Sequence, residues 1–279
     1  MMSVSWLLRI VTVFLKKMQH KAPAAPDAVG GDMSRSVLPL DCGDGVTHSV
    51  PVYEGYAVKH GVFRLMAAGT DLTDRLVGLL EESGYSFTTR AEREIVRAMK
   101  EELCYVALDF EAEVERAARR PVEKPFELPD GTVINVGSQA FRAPEALFQP
   151  ALFGDATAVC DGVADMVGRA AAACDASFRG ELLASVVLSG GSTLLPGFAA
   201  RMQKELVPIR AAAAAECQPP PGSAAAAVRG RKERVGSTGR HAAWEGGSIL
   251  ASLPVFAKRW ISKAEYDEVG PTIVHSKCF

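Results

Sequence analysis

Apolar residues along this chain follow two periods. Leu38 and Leu40 lead into Asp41-Cys42-Gly43-Asp44-Gly45, and a β-branched run over 46–53 leads out. That pattern predicts strand, tight turn, strand, with Asp44-Gly45 supplying the positive φ of a two-residue hairpin. Residues 61–66 predict another strand. From Gly69-Thr70-Asp71 the period changes to that of a helix: Leu72, Leu76, Leu79 and Leu80 share one face, and Gly84 ends it. Thr89 with Glu92 three residues on is a capping box, followed by the stripe Ile95, Val96, Met99 and Leu103. Arg97 and Glu101 sit four apart on its polar side, where they can pair, with Lys100 close by. Residues 110–119 read as a charged helix. Asp130-Gly131 joins strands over 125–128 and 132–136. Residues 164–173 and 178–183 read as helices, 185–189 as a short buried strand, and Pro196 opens a helix over 197–206.

Three stretches interrupt the pattern. The first 26 residues carry Arg9, Lys16, Lys17 and Lys21 and no acid, and the apolar run 6–15 is too short to span a bilayer. They read as an unstructured start, with a basic presequence or a surface-lying helix as the alternative, before a linker over 22–36. Residues 141–154 mix Pro144 and Pro150 with large apolar groups and end in Leu152-Phe153-Gly154, which suits either core or a contact surface. Residues 207–243 hold alanine runs, Pro219-Pro220-Pro221 and a basic run from Arg229 to Arg234, and read as a mobile low-complexity insert. Order resumes at Trp244, where Gly246-Gly247-Ser248 precedes an amphipathic pattern of Ile249, Leu250, Leu253, Phe256 and Trp260.

Composition narrows the class. At 279 residues, 48% apolar and 23% charged, the chain can bury a sizeable core in one large or two small domains. A net charge of −2 implies no general affinity for nucleic acid or anionic membrane. The six cysteines are scattered without a C-x-x-C pair, which argues against a zinc site or a disulfide framework and fits a reducing cytosol.

The chemistry concentrates in the two glycine turns. Gly43 and Gly45 open backbone N–H groups to an oxyanion, and the two aspartates beside them can hold a hydrated cation. Strand 185–189, Gly190-Gly191 and the helix start after them let a second part of a ligand lie against bare backbone. Asp-Gly also closes ordinary hairpins, and a lone Gly-Gly is weak; the pair of turns together is the stronger signal.

Several runs resemble the actin family. Residues 41–48 (DCGDGVTH) are similar to its second phosphate-binding hairpin; so are 53–57, 84–89, 91–97, 102–110, 144–150, 187–191, 201–205 and 260–279 to other parts of actin. The likeness covers 38–206 and 244–279, with a non-homologous basic and linker stretch over 1–37 and the low-complexity insert over 207–243. It implies an α/β, actin-type ATPase (RNase H-like) half-domain: the second half of a duplicated fold, plus C-terminal helices that pack on a first half not seen in this sequence. ATP or ADP with Mg or Ca is the implied cofactor.

Residue by residue, the resemblance puts Asp41 on the metal side through water and Gly43, Asp44, Gly45 and Val46 along the phosphates and ribose. His48 would stand near the attacking water. Gly69, Arg97, Lys100 and Glu101 would meet ribose and adenine, with Gly190, Gly191, Ser192, Leu194, Leu195 and Arg240 completing the adenosine pocket. Cys42, Leu195 and Thr70 depart from the family's serine, tyrosine and arginine. Leu152-Phe153-Gly154 matches a filament-contact loop, and Gly55, Ile249, Leu250 and Leu253 match a groove for actin-binding proteins. The expected setting is cytoplasm and cytoskeleton, with actin or further copies of the chain as partners. Hydrolysis is expected to be impaired, because phosphoryl chemistry needs charge neutralisation from both sides of the phosphate. A non-enzymatic interaction module and a truncated gene model stay open beside this reading.

Overall fold

The computed structural model describes residues 36–54, 56–153, 161–216, 234–254, 256 and 260–277. The N-terminal stretch to residue 35, Gly55, Gly154, residues 217–233 and the side chain of Leu250 lie outside the described residues, and so do the expectations that fall on them. No described helix is long and apolar enough to cross a membrane.

A mixed sheet centres on β1 (Ser36–Cys42). Along one edge β1 pairs antiparallel with β2 (Thr47–Ser49) and β3 (Val52–Tyr53), in registers Leu40↔Ser49 and Val37↔Val52. β4 (Tyr56–Ala57) continues from β3, and β5 (Phe63–Leu65) pairs with β2. α1 (Gly69–Glu81), α2 (Arg90–Leu103) and α3 (Phe110–Arg119) follow. A separate hairpin, β6 (Lys124–Glu127) and β7 (Val133–Val136), leads to α4 (Gln139–Glu145). α5 (Val163–Ala172) and α6 (Ala176–Ala184) return the chain to the sheet. There β8 (Ser185–Ser189) lies parallel to the other edge of β1, with Leu38↔Val186 and Asp41↔Ser189 in register. α7 (Phe198–Glu216) precedes β9 (Arg234–Ser237), which is parallel to β8. α8 (Ala242–Ala251), α9 (Lys263–Val269) and α10 (Val274–Lys277) complete the described chain.

The period of two in β1 decides where the core sits, because alternate side chains of a strand point to opposite faces. Leu38, Leu40 and Cys42, with Val186 and Leu188 of β8, face a large cluster. Leu72, Leu76, Leu79 and Leu80 of α1 join it, as do Val96 and Met99 of α2, Leu182 and Leu183 of α6, and Phe198, Met202 and Leu206 of α7. Val37 faces the other way, into a small cluster with Val50 and Val52 that Val187 and Ala243 flank.

Several local expectations take a different form. The turn after β1 spans Gly43-Asp44-Gly45-Val46, closed by Gly43 N–H donating to Val46 O at 3.3 Å. Neither of its glycines has a positive φ, because four residues reverse the chain without the left-handed conformation a two-residue turn demands. Asp130-Gly131 does behave as the sequence predicts, with Gly131 at φ +83°. The helix after Pro196 starts at Phe198 and runs past Leu206 to Glu216, carrying Pro208 within it and the alanines that favour helix. The other described end of the 207–243 stretch is strand β9 and the start of α8. Gly246 and Gly247 lie inside α8 rather than ahead of a helix.

Candidate functional site

Three chain segments are knotted together around Gly43. The carbonyls of Gly43 and Asp44 accept from the first amides of α1, Gly69 N–H at 3.1 Å and Thr70 N–H at 2.7 Å. The Ser192 hydroxyl donates to the same Gly43 carbonyl at 2.8 Å, from the 3-10 turn after β8. Gly190, at φ +90°, packs so closely on the Cys42 carbonyl that any side chain there would collide with it. Gly69 is nearly as tight, since an added Cβ would stand 3.0 Å from Ser192 Oγ and 3.1 Å from Asp44 Oδ1. Glycine is required at Gly190 for both reasons, contact and conformation.

This knot forms the floor of a cavity of about 480 Å³. Asp41, Gly43, Asp44 and Gly69 line one end, Arg97, Lys100 and Glu101 of α2 one side, and Gly190, Gly191, Ser192, Leu194, Leu195 and Arg240 the other. The sequence-predicted residues are thereby brought to one place, apart from Gly45, Val46 and His48, which do not line it. Ala243, in the first turn of α8, lines it without having been anticipated; an alanine after a low-complexity stretch carries no signal. The amides of Asp44 and Gly45 donate to no partner among the described residues, and the space above Gly45 is open.

The charged residues are arranged differently from their helical spacing. Arg97 and Glu101 do not pair with each other. Arg97 Nε donates to Glu94 at 2.8 Å, while Glu101 accepts from Arg240 Nη2 at 2.8 Å. The strand pairing of β9 with β8 and the Gly190 N–H to Gly239 O bond deliver Arg240 to Glu101. That bond holds the Glu101 carboxyl below its usual pKa range. Lys100 is buried, and its ammonium donates to Gly69 O at 2.6 Å and Thr73 Oγ1 at 2.9 Å, so it braces the first turn of α1. Burial lowers its pKa, against the pull of Asp44 and Glu101.

At the other end, burial raises the Asp41 carboxyl, opposed by the Ser189 hydroxyl and by His48. His48 pairs with Asp41 across β1 and β2 and with Arg64 of β5. Burial first, and then Arg64, push its pKa down, and its Nδ1 has no partner among the described residues. Cys42 does not stand in for a hydroxyl facing the cavity: its thiol lies in the core, accepts from Thr47 Oγ1 at 3.0 Å, and is pushed up to about 11 by burial. Leu152 and Phe153 pack half-buried against the main core. Ile249 is half-buried and Leu253 exposed.

A cavity walled by two backbone turns, with free amides at one end and an apolar, arginine-edged pocket at the other, suits a phosphorylated ligand with an aromatic body. The donor set fits a dication poorly: among the described residues no group of three or more His, Cys, Asp or Glu comes together. An ion here would be held through water and through the ligand's own oxygens. The family model for actin matches residues 31–279. The chain belongs to the actin family.

Proposed function

We propose that this actin-family chain is a nucleotide-binding protein of the cytoskeleton, with ATP or ADP as ligand of the cavity between the two glycine turns. The observation that carries the reading is that residues scattered from Asp41 to Arg240 converge on one cavity. The family binds nucleotide together with a divalent cation, which would neutralise phosphate charge when bound. The Asp44 amide at the cavity wall would take the phosphates, with the Gly45 amide on the turn beside it. Gly190 to Ser192 would let the ribose approach the backbone, and Leu194, Leu195 and the Arg240–Glu101 pair would hold the base.

Hydrolysis would be weak. Lys100 spends its ammonium on α1, Arg97 and Arg240 are engaged by carboxylates, and burial disfavours the charged form of His48, so this chain brings little positive charge to the phosphate end. The reading that the chain carries the second of two α/β halves belongs to the same proposal. So do a cytoplasmic setting and partners drawn from actin or further copies of the chain.

Thermal unfolding with and without Mg-ATP tests it. Nucleotide at a hundred times its Kd adds about 2.7 kcal/mol to stability. Melting should therefore rise with Mg-ATP, and the rise should vanish in Gly191→Phe, which would fill the cavity beside Arg240. A melting temperature indifferent to nucleotide would overturn the proposal. A second reading, a non-enzymatic interaction module, is favoured by Trp244, Leu253 and Trp260, which stand in solvent on the C-terminal segment.

A further inference from the structure

The structure holds a second concave site, away from the glycine turns, where α3 lies over the β6–β7 hairpin and the start of α4. Two adjoining cavities of about 710 and 440 Å³ share the wall formed by Ala117, Val122, Gly137, Ser138 and Phe141, so they make one groove. Each falls in the range of roughly 300–1,000 Å³ typical of small-molecule sites. Aromatic rings floor it. Tyr105 and Phe141 line it with ring centroids 5.9 Å apart, and Phe110, outside the lining, backs Phe141 edge-on at 6.0 Å. Val122 sits at the mouth with its side chain largely in water.

Charge at the mouth is uneven. Arg116 is engaged by Glu113, Arg119 by Glu115 and Arg142 by Glu82. Arg120 and Lys124, by contrast, meet no carboxylate among the described residues, although both line the groove. Lys124 Nζ lies 5.8 Å from the Tyr105 ring centroid, and Tyr105 Oη donates to Glu113 at 2.6 Å. Arginines at the end of α3 also complement its carbonyl terminus, so the charge alone decides nothing. Enclosed aromatic surface with two uncommitted cations above it is the combination that selects a ligand. Glu102 and Glu123 stand on the rim as well, so an anion is favoured only beside Arg120 and Lys124.

We propose that this groove binds an aromatic or aliphatic carboxylate or sulfonate, its apolar body on Tyr105, Phe141 and Val122 and its anionic group beside Arg120 and Lys124. The site is independent of the nucleotide reading. The probe is the aromatic sulfonate 8-anilinonaphthalene-1-sulfonate, titrated into the full chain and followed by its fluorescence. Saturable binding is expected, weakened at least tenfold in Arg120→Glu/Lys124→Glu and abolished in Ala117→Trp, which would fill the groove. Both charged side chains are exposed, so the double variant should keep its circular dichroism and melting temperature. Unchanged titrations in both variants would place the dye elsewhere, such as on the exposed tryptophans of the C-terminal segment, and would overturn the proposal. So would the absence of saturable binding to the parent chain.

Discussion

Two regions of this molecule carry equally apolar patterns and treat them in opposite ways. Among the described residues from Ser36 to Glu216 most of the pattern is covered: α1, α2, α5, α6 and α7 lay their stripes on one face of the sheet, and even an ion pair is buried there. Arg201 of α7 reaches Glu145 of α4 through Nη2 at 3.0 Å, donates to the Ala107 carbonyl at 2.9 Å, and lies over the Phe148 ring. From Arg234 onward the pattern is left open. Ala242, Phe256 and Ile273 are the buried apolar residues described there, whereas Trp244 is 75% exposed and Trp260 57%. Within it Lys263–Asp267 lies at the surface, where an ion pair contributes little, and Lys277–Glu265 is half-exposed. The contrast teaches that periodicity sets which face of an element is apolar, and only a partner decides whether that face is covered.

The largest effect that would sharpen the contrast is expected at Arg201. Arg201→Ala strands Glu145, which is fully buried, and should cost about 3–5 kcal/mol by denaturant titration. A loss below 1 kcal/mol would mean that Glu145 is not held buried against Arg201. The next effect is on acid stability. The folded pKa of His48 lies below its ordinary 6.5, so in the window between the two values the unfolded chain binds the extra proton. The His48 contribution is therefore present above about pH 6.5 and lost as pH falls through the folded value. His48→Gln should flatten stability against pH across that window; an unchanged profile would show that the imidazole is not buried neutral. The smallest stability change is expected in the second region. Leu253→Asp, in solvent, should move stability by no more than about 0.5 kcal/mol. If the open segment is a contact surface, the same change should abolish capture of actin monomer, and equal capture by both chains would count against that use.

How much of this was legible depends on whether the determinants were local. The Thr89–Glu92 cap and the Asp130-Gly131 turn are short-range devices, and they form as the sequence predicts: Glu92 N–H donates to Thr89 Oγ1 at 3.2 Å, and Gly131 adopts the left-handed conformation. Arg97 and Glu101 are spaced to pair but do not, because helical spacing offers more than one neighbour and cannot show a competitor from another element: Glu94, three residues back on the same helix, takes Arg97, and Arg240, beyond β9, takes Glu101. Strand β9 was hidden for a similar reason. Val235 is one apolar residue in a basic and glycine-containing run, and its strand character comes from the β8 edge waiting for it. The residues that line the cavity are anticipated through family resemblance more than through pattern, and Ala243 through neither.

The parallel pairing of β8 with β9 also has a kinetic side. Every other strand of the sheet is contributed by the chain before α7, whereas β9 must return across all of α7 and the stretch beyond it to find its register. Contacts closed over so long a loop are expected late, after the local helices and the β1–β2 hairpin have formed. Arg240 and Ala243 follow β9 directly, so the cavity gains that wall only when the strand docks, and its Gly190–Ser192 wall only when β8 docks on β1 across a still longer stretch of chain. A refolding chain would regain its helices well before it completed the cavity.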